Sequence, residues 1–154
     1  MWKLLKRSLK TGRLTERQSE AGRTNQSLHI RHLDCGSCNG CDWEMGALLN
    51  SIYDLQQYGF DFVASPRHAD LLMCTGPMTT QLLQAAAATY EATPHPKQVI
   101  AVGDCAINGG VFKEAYATNG GIGEVLPVQV EIPGCPPSPE EILRVLLTVK
   151  SLKK

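Results

Sequence analysis

An α/β fold, with a parallel sheet covered by helices on both faces, is predicted by three observations. From Leu28 onward, short apolar segments alternate with helix-like ones. The loops between them are rich in glycine and proline. Each of the six cysteines stands where an apolar stretch gives way to such a loop. Regular strand–helix alternation implies parallel strands, because the return of the chain covers the sheet with helices. At 154 residues the chain fits one domain, which buries about 70% of the surface its unfolded form exposes.

The elements follow in order. Leu28-His29-Ile30-Arg31-His32-Leu33 alternates apolar and polar residues with period two and reads as the first strand. Asp42 is placed to cap a helix running to about Gln57, with Met45, Leu48, Leu49, Ile52 and Leu55 on its inner face. Phe60 to Val63 is the second strand and Leu71 to Met73 a short third one. Pro77 introduces a helix over Thr79 to about Glu91. Gln98 to Val102 and Val125 to Ile132 complete the strands. Pro139 opens the last helix, to about Val149, at a position proline favours.

Residues 1–27 differ from the rest. Lys3, Lys6, Arg7, Lys10, Arg13 and Arg17 alternate with Trp2, Leu5 and Leu9, which gives one apolar stripe on a basic helix. Such an arm fits either an anionic membrane surface or a neighbouring subunit. Glu20 to Gln26 reads as a polar linker, and residues 28–154 as the α/β domain. Net charge is zero, which argues against nucleic acid as a partner. The chain shows neither a secretory signal, nor a twin-arginine pair, nor an apolar run of membrane-spanning length. A cytoplasmic location is expected, and in that reducing compartment clustered cysteines point to metal or redox chemistry before structural disulfides.

The topology then directs attention to one edge. Cys35, Cys74, Cys105 and Cys135 are each read as following a strand, and Cys38 and Cys41 continue the first of those loops. Parallel sheets bind ligands beyond the carboxyl ends of their strands, so the thiols are expected to converge there. Zinc usually takes paired C-x-x-C knuckles, whereas here one cysteine-dense knuckle is followed by isolated cysteines. A thioredoxin-like switch at Cys38 and Cys41 leaves Cys105 and Cys135 without a role. An iron–sulfur cluster needs four thiolates on a stiff scaffold, and six are on offer. Spacing does not choose among them.

At these residues the chain resembles a known family. The segments are Cys38-Asn39-Gly40-Cys41-Asp42-Trp43-Glu44, Ser65-Pro66-Arg67-His68-Ala69-Asp70, Gly103-Asp104-Cys105-Ala106 with Gly109-Gly110, and Pro133-Gly134-Cys135-Pro136-Pro137. Together they resemble the small electron-transfer subunit of membrane-bound, energy-converting nickel–iron hydrogenases. Formate hydrogenlyase complexes contain such a subunit, and it is homologous to the cluster-bearing 20 kDa-type subunit of respiratory complex I.

The resemblance implies a flavodoxin-like fold and a single 4Fe–4S cluster on Cys38, Cys41, Cys105 and Cys135, with Cys35 and Cys74 as spares. It implies as partners a nickel–iron large subunit, a ferredoxin-like iron–sulfur subunit and integral membrane subunits. The complex I relative carries adjacent cysteines where this chain has Cys38-Asn39-Gly40-Cys41, which favours the hydrogenase side. Exported uptake hydrogenases have a longer small subunit with further clusters. Because this chain ends soon after Cys135, one cluster on the cytoplasmic face of the membrane is expected. The rival is a complex I-like quinone- or sulfur-reducing assembly. Glu44 is a candidate proton relay, or simply an acid favoured in a first helical turn. Arg67 and His68 are candidates for tuning the cluster through nearby positive charge, or only for holding a loop or contacting the large subunit, which is the reading favoured for His68.

Overall fold

The computed structural model describes residues 27–152; the basic arm predicted at the N-terminus lies outside them. Five parallel strands form one sheet in the order β2-β1-β3-β4-β5, the flavodoxin-like arrangement. They are β1 (Leu28–Asp34), β2 (Phe60–Phe62), β3 (Leu71–Thr75), β4 (Gln98–Val102) and β5 (Val130–Ile132). The helices are α1 (Gly40–Ala47), α2 (Leu83–Ala92), α3 (Asp104–Asn108) and α4 (Pro139–Leu152).

Alternation along the strands divides the core in two. Leu71, Met73, Ile100 and Val102 face one side, where they meet Met45 of α1, Leu48 just beyond its end, and Ile142, Leu143 and Leu146 of α4. Leu72, Cys74, Val99 and Ala101 face the other, against Ala86 of α2 and Ala106 of α3. β3 and β4 are therefore apolar on both faces, as a covered parallel sheet requires, whereas β1 alternates Leu28, Ile30 and Leu33 with His29, Arg31 and His32. Each fully buried leucine or isoleucine here contributes roughly 1.5–3 kcal/mol relative to exposure.

Several boundaries depart from the sequence reading, and each departure has a local cause. α1 ends at Ala47, well before Gln57. Asn50 turns its side-chain carbonyl onto the N–H groups of Ile52 and Tyr53, at 2.8 and 3.1 Å, which offers the backbone a turn in place of the helix. Leu48 and Leu55 keep their core positions, while Leu49, expected inside, is 53% exposed. Its N-cap is Asn39, in the left-handed region at φ 68°; Asp42, expected to cap, lies inside the first turn.

α2 begins at Leu83, not Thr79. The backbone of Met78 to Thr80 is already committed to a neighbouring loop. Met78 N–H donates to Gly120, and Thr80 N–H to Ala117. β5 is confined to three residues at the end of the predicted Val125–Ile132 span. Pro127 cannot donate to a ladder, and the side chain of Gln129 accepts the Val99 N–H in place of a backbone carbonyl. β3 runs on to Thr75, so Cys74 is part of a strand and not of the loop beyond it. The five-residue helix α3 was not anticipated.

Candidate metal centre

Three loops at the carboxyl edge of the sheet bring Cys38, Cys41, Cys105 and Cys135 together. The first follows β1. Asp34 accepts from the N–H groups of Gly36 and Ser37, at 2.8 and 2.7 Å, and Ser37 Oγ accepts from Asn39 N–H at 3.0 Å. These bonds fold the loop tightly, leaving Cys38 exposed and Cys41 half-buried as the second residue of α1. The second loop follows β4, where Gly103 at φ 88° and ψ 158° turns the chain into α3 and places Cys105, buried, as its second residue. Only glycine adopts that backbone conformation readily. The third loop follows β5 and holds Cys135, exposed, between Gly134 and Pro136.

The second and third loops are tied directly to each other. Asp104 N–H donates to the Gly134 carbonyl at 2.9 Å, and Gly134 N–H donates back to the Asp104 carboxylate at 2.8 Å. Gly103 N–H donates to Ile132 at 2.8 Å. The first loop docks on this pair through sulfur: a Cβ on residue 103 would stand 2.6 Å from Cys41 Sγ and 3.3 Å from the Gly134 carbonyl. A Cβ on residue 110 would lie 2.9 Å from Cys105 Sγ. Both glycines thus keep backbone close to sulfur.

Electrostatics report the same convergence. Cys41 is pushed up to about 11, first by burial, then by the Asp42 carboxylate and by the thiols of Cys105, Cys38 and Cys135. Cys105 is also raised, first by burial and then by Cys135 and Cys38, with a backbone hydrogen bond from Val111 acting in the opposite sense. Each thiolate therefore opposes the next, an arrangement that a bound cation relieves. Among the described residues no three His, Cys, Asp or Glu side chains are close enough to hold a single metal ion.

Cys35 and Cys74 stand apart from this group. Both are fully buried, and they hydrogen-bond to each other. That bond, with burial and the charge of Cys35, raises Cys74 well above the usual thiol range. Such a thiol stays neutral and behaves as a small hydrophobe.

A polar cluster that sequence reasoning missed adjoins Cys41. Thr75 Oγ1, fully buried at the end of β3, donates to Asp42 Oδ1 at 2.7 Å and lies 2.9 Å from His32 Nε2. His32 Nε2 is itself 3.1 Å from Asp42 Oδ1. The alternation of β1 put His32 on the α1 side, but nothing in the sequence paired it with Asp42. Glu44 lies half-buried in α1, and Arg67 and His68 are exposed on a short turn between β2 and β3. That turn contacts α2 on the flank of the sheet.

With this sheet order and this thiol-rich edge, the molecule is of the oxidoreductase-subunit class. Over residues 38–149 the chain matches, and so belongs to, the family described as NADH ubiquinone oxidoreductase, 20 Kd subunit. It is 49% identical over 130 residues to a probable membrane-bound hydrogenase subunit, mbhJ, of Pyrococcus furiosus, covering 84% of this chain and 78% of that one. It is 41% identical over 118 residues to formate hydrogenlyase subunit 7 of Escherichia coli, covering 77% of this chain and 46% of that one. Among solved structures it is similar to a chain of an archaeal respiratory complex, the membrane-bound sulfane sulfur reductase. There the TM-score is 0.70 and the identity 36%, over 83% of this chain and 72% of that one. None of the helices among the described residues is long and apolar enough to cross a membrane.

Proposed function

We propose that the chain is the electron-transfer subunit of a membrane-associated nickel–iron hydrogenase, holding one 4Fe–4S cluster on Cys38, Cys41, Cys105 and Cys135. The observation that carries this reading is the meeting of four thiols from three separate loops at one sheet edge. The donor set is all sulfur, which suits iron–sulfur clusters. Gly103 and Gly110 let the backbone approach the sulfurs of Cys41 and Cys105 closely. The cluster would supply one-electron transfer, with no bond making on this chain.

The chain's own residues do the rest. Asp104 and Gly134 lock two ligand loops together. Val111 stabilises charge on Cys105, and Asp42 holds a negative charge beside Cys41. The nickel–iron site would reside on a large partner subunit, with a ferredoxin-like subunit on the other side of the electron path and integral membrane subunits anchoring the assembly on the cytoplasmic face. The likeness to the sulfane sulfur reductase complex favours a second reading, in which the same scaffold serves a complex I-like quinone- or sulfur-reducing assembly.

Anaerobic purification tests the cluster. The expected protein is brown, with about four irons per chain and visible absorbance that bleaches with dithionite. A colourless, zinc-containing protein rejects the proposal. Whether the co-purifying large subunit keeps four nickel- and iron-binding cysteines separates the two readings of the assembly.

A further inference from the structure

Asp42 directly follows Cys41 in the first turn of α1, where the helix dipole favours negative charge. Its Oδ1 accepts the Thr75 hydroxyl at 2.7 Å and faces His32 Nε2 at 3.1 Å. A carboxylate only accepts, so both neighbours present protons to the one oxygen. Thr75 Oγ1 lies 2.9 Å from the same His32 nitrogen, which closes a triangle across α1, β1 and β3. Thr75 is β-branched and ends a strand that is buried throughout, so its hydroxyl has little freedom to turn away. The Asp42 side chain is only 20% exposed. Its charge is therefore fixed in place and screened less than a charge on the open surface.

A charge held there acts on the thiol edge. Asp42 stands second only to burial in raising the Cys41 thiol, ahead of each of the other three cysteines. One electron added at that edge brings one negative charge and forms no bond, so the same carboxylate opposes it. We propose that Thr75 is a positioning residue, which holds the Asp42 carboxylate beside Cys41 as a fixed negative charge that lowers the reduction potential of the proposed cluster. This inference rests on the 4Fe–4S reading of the site, and it adds what sets the potential there.

The test uses the full chain, purified anaerobically with its iron. Midpoint potentials are read by dithionite titration followed by electron paramagnetic resonance, and iron is counted alongside. Asp42→Asn keeps the shape and removes the charge. Its potential is expected to rise by at least about 59 mV, a tenfold change in the equilibrium for one electron. Thr75→Val frees the carboxylate and is expected to fall between wild type and Asp42→Asn, whereas Thr75→Ser restores the hydroxyl and the wild-type potential. Added to Asp42→Asn, Thr75→Val is expected to move the potential no further, because it acts through Asp42. A threonine with a structural role alone would change the urea midpoint and leave the potential where it was.

An unmoved or lowered potential in Asp42→Asn or in Thr75→Val overturns the proposal. So does a Thr75→Val shift that persists in full once the Asp42 charge is gone. Should Asp42→Asn retain no iron, the comparison of Thr75→Val with Thr75→Ser decides, and equal potentials overturn the proposal. A wild-type chain without iron overturns the cluster reading itself, whereas an iron-loaded wild type with unmoved variants overturns the positioning role alone.

Discussion

Gly103 and Cys41 are packed so closely that any side chain on residue 103 would collide with the Cys41 sulfur, its Cβ 2.6 Å from Sγ. The two residues belong to loops that are far apart in sequence, so their contact fixes the first loop against the other two. Gly103→Ala adds that clash to a backbone conformation that costs other residues about 1–3 kcal/mol. Most of the bound iron should be lost while the far-ultraviolet circular dichroism stays close to wild type. Full iron content in this variant would show that the loops have slack.

The thiols should sort into two groups on substitution. Cys38→Ser, Cys41→Ser, Cys105→Ser and Cys135→Ser are each expected to lose or convert the cluster, as read by iron content and by electron paramagnetic resonance of the reduced protein. Cys74→Ser is expected to keep a normal cluster, because Cys74 lies buried against Cys35 on the far side of β3 from α1. A normal cluster in Cys135→Ser would overturn the ligand set.

The raised Cys74 thiol gives stability a dependence on alkaline pH. The folded state holds this proton above the usual value of 9.0, whereas the unfolded chain releases it there. Its contribution is therefore fully present below about pH 9 and declines as pH rises from there towards the raised native value. Denaturant midpoints measured at about pH 8 and about pH 10 should fall further in wild type than in Cys74→Ala. Equal slopes would show that the thiol ionises in place. The same burial predicts that Cys35 and Cys74 resist alkylation until the protein is denatured.

Thr75→Val tests the polar cluster beside Cys41. The substitution preserves shape but removes the hydroxyl shared by Asp42 and His32. Loss of a hydrogen bond to a charged group predicts a destabilisation of about 1.5–3 kcal/mol, measured by urea unfolding. A change within experimental error would mean that His32 alone holds Asp42.

Much of the scaffold was legible because its signals are redundant. The apolar runs Leu71–Met73 and Gln98–Val102 are bounded by loop residues, and they appear as central strands. Two of the four proposed ligands, Cys105 and Cys135, follow strand ends directly, and Cys38 and Cys41 continue the loop after β1. What escaped was decided by single side chains competing for backbone groups. Asn50 ends α1, and Gln129 delays β5, through bonds that depend on which neighbour comes within reach. Cys74 was misplaced by a strand extension of two residues, enough to change a loop cysteine into a core one. The pairing of His32 with Asp42 through Thr75 needs β1, β3 and α1 in register, and no local pattern encodes it.

The thiols divide two and two: Cys38 and Cys135 look outward, while Cys41 and Cys105 are turned into the protein. Iron and sulfide held among them would have one insulated flank and one bare flank. With the proposed cluster in place, the bare flank would be the short route for charge in and out, and equally the side open to dioxygen. A subunit lying over that flank would act as conduit and shield at once, so electrical contact and chemical protection would be gained in the same act of assembly.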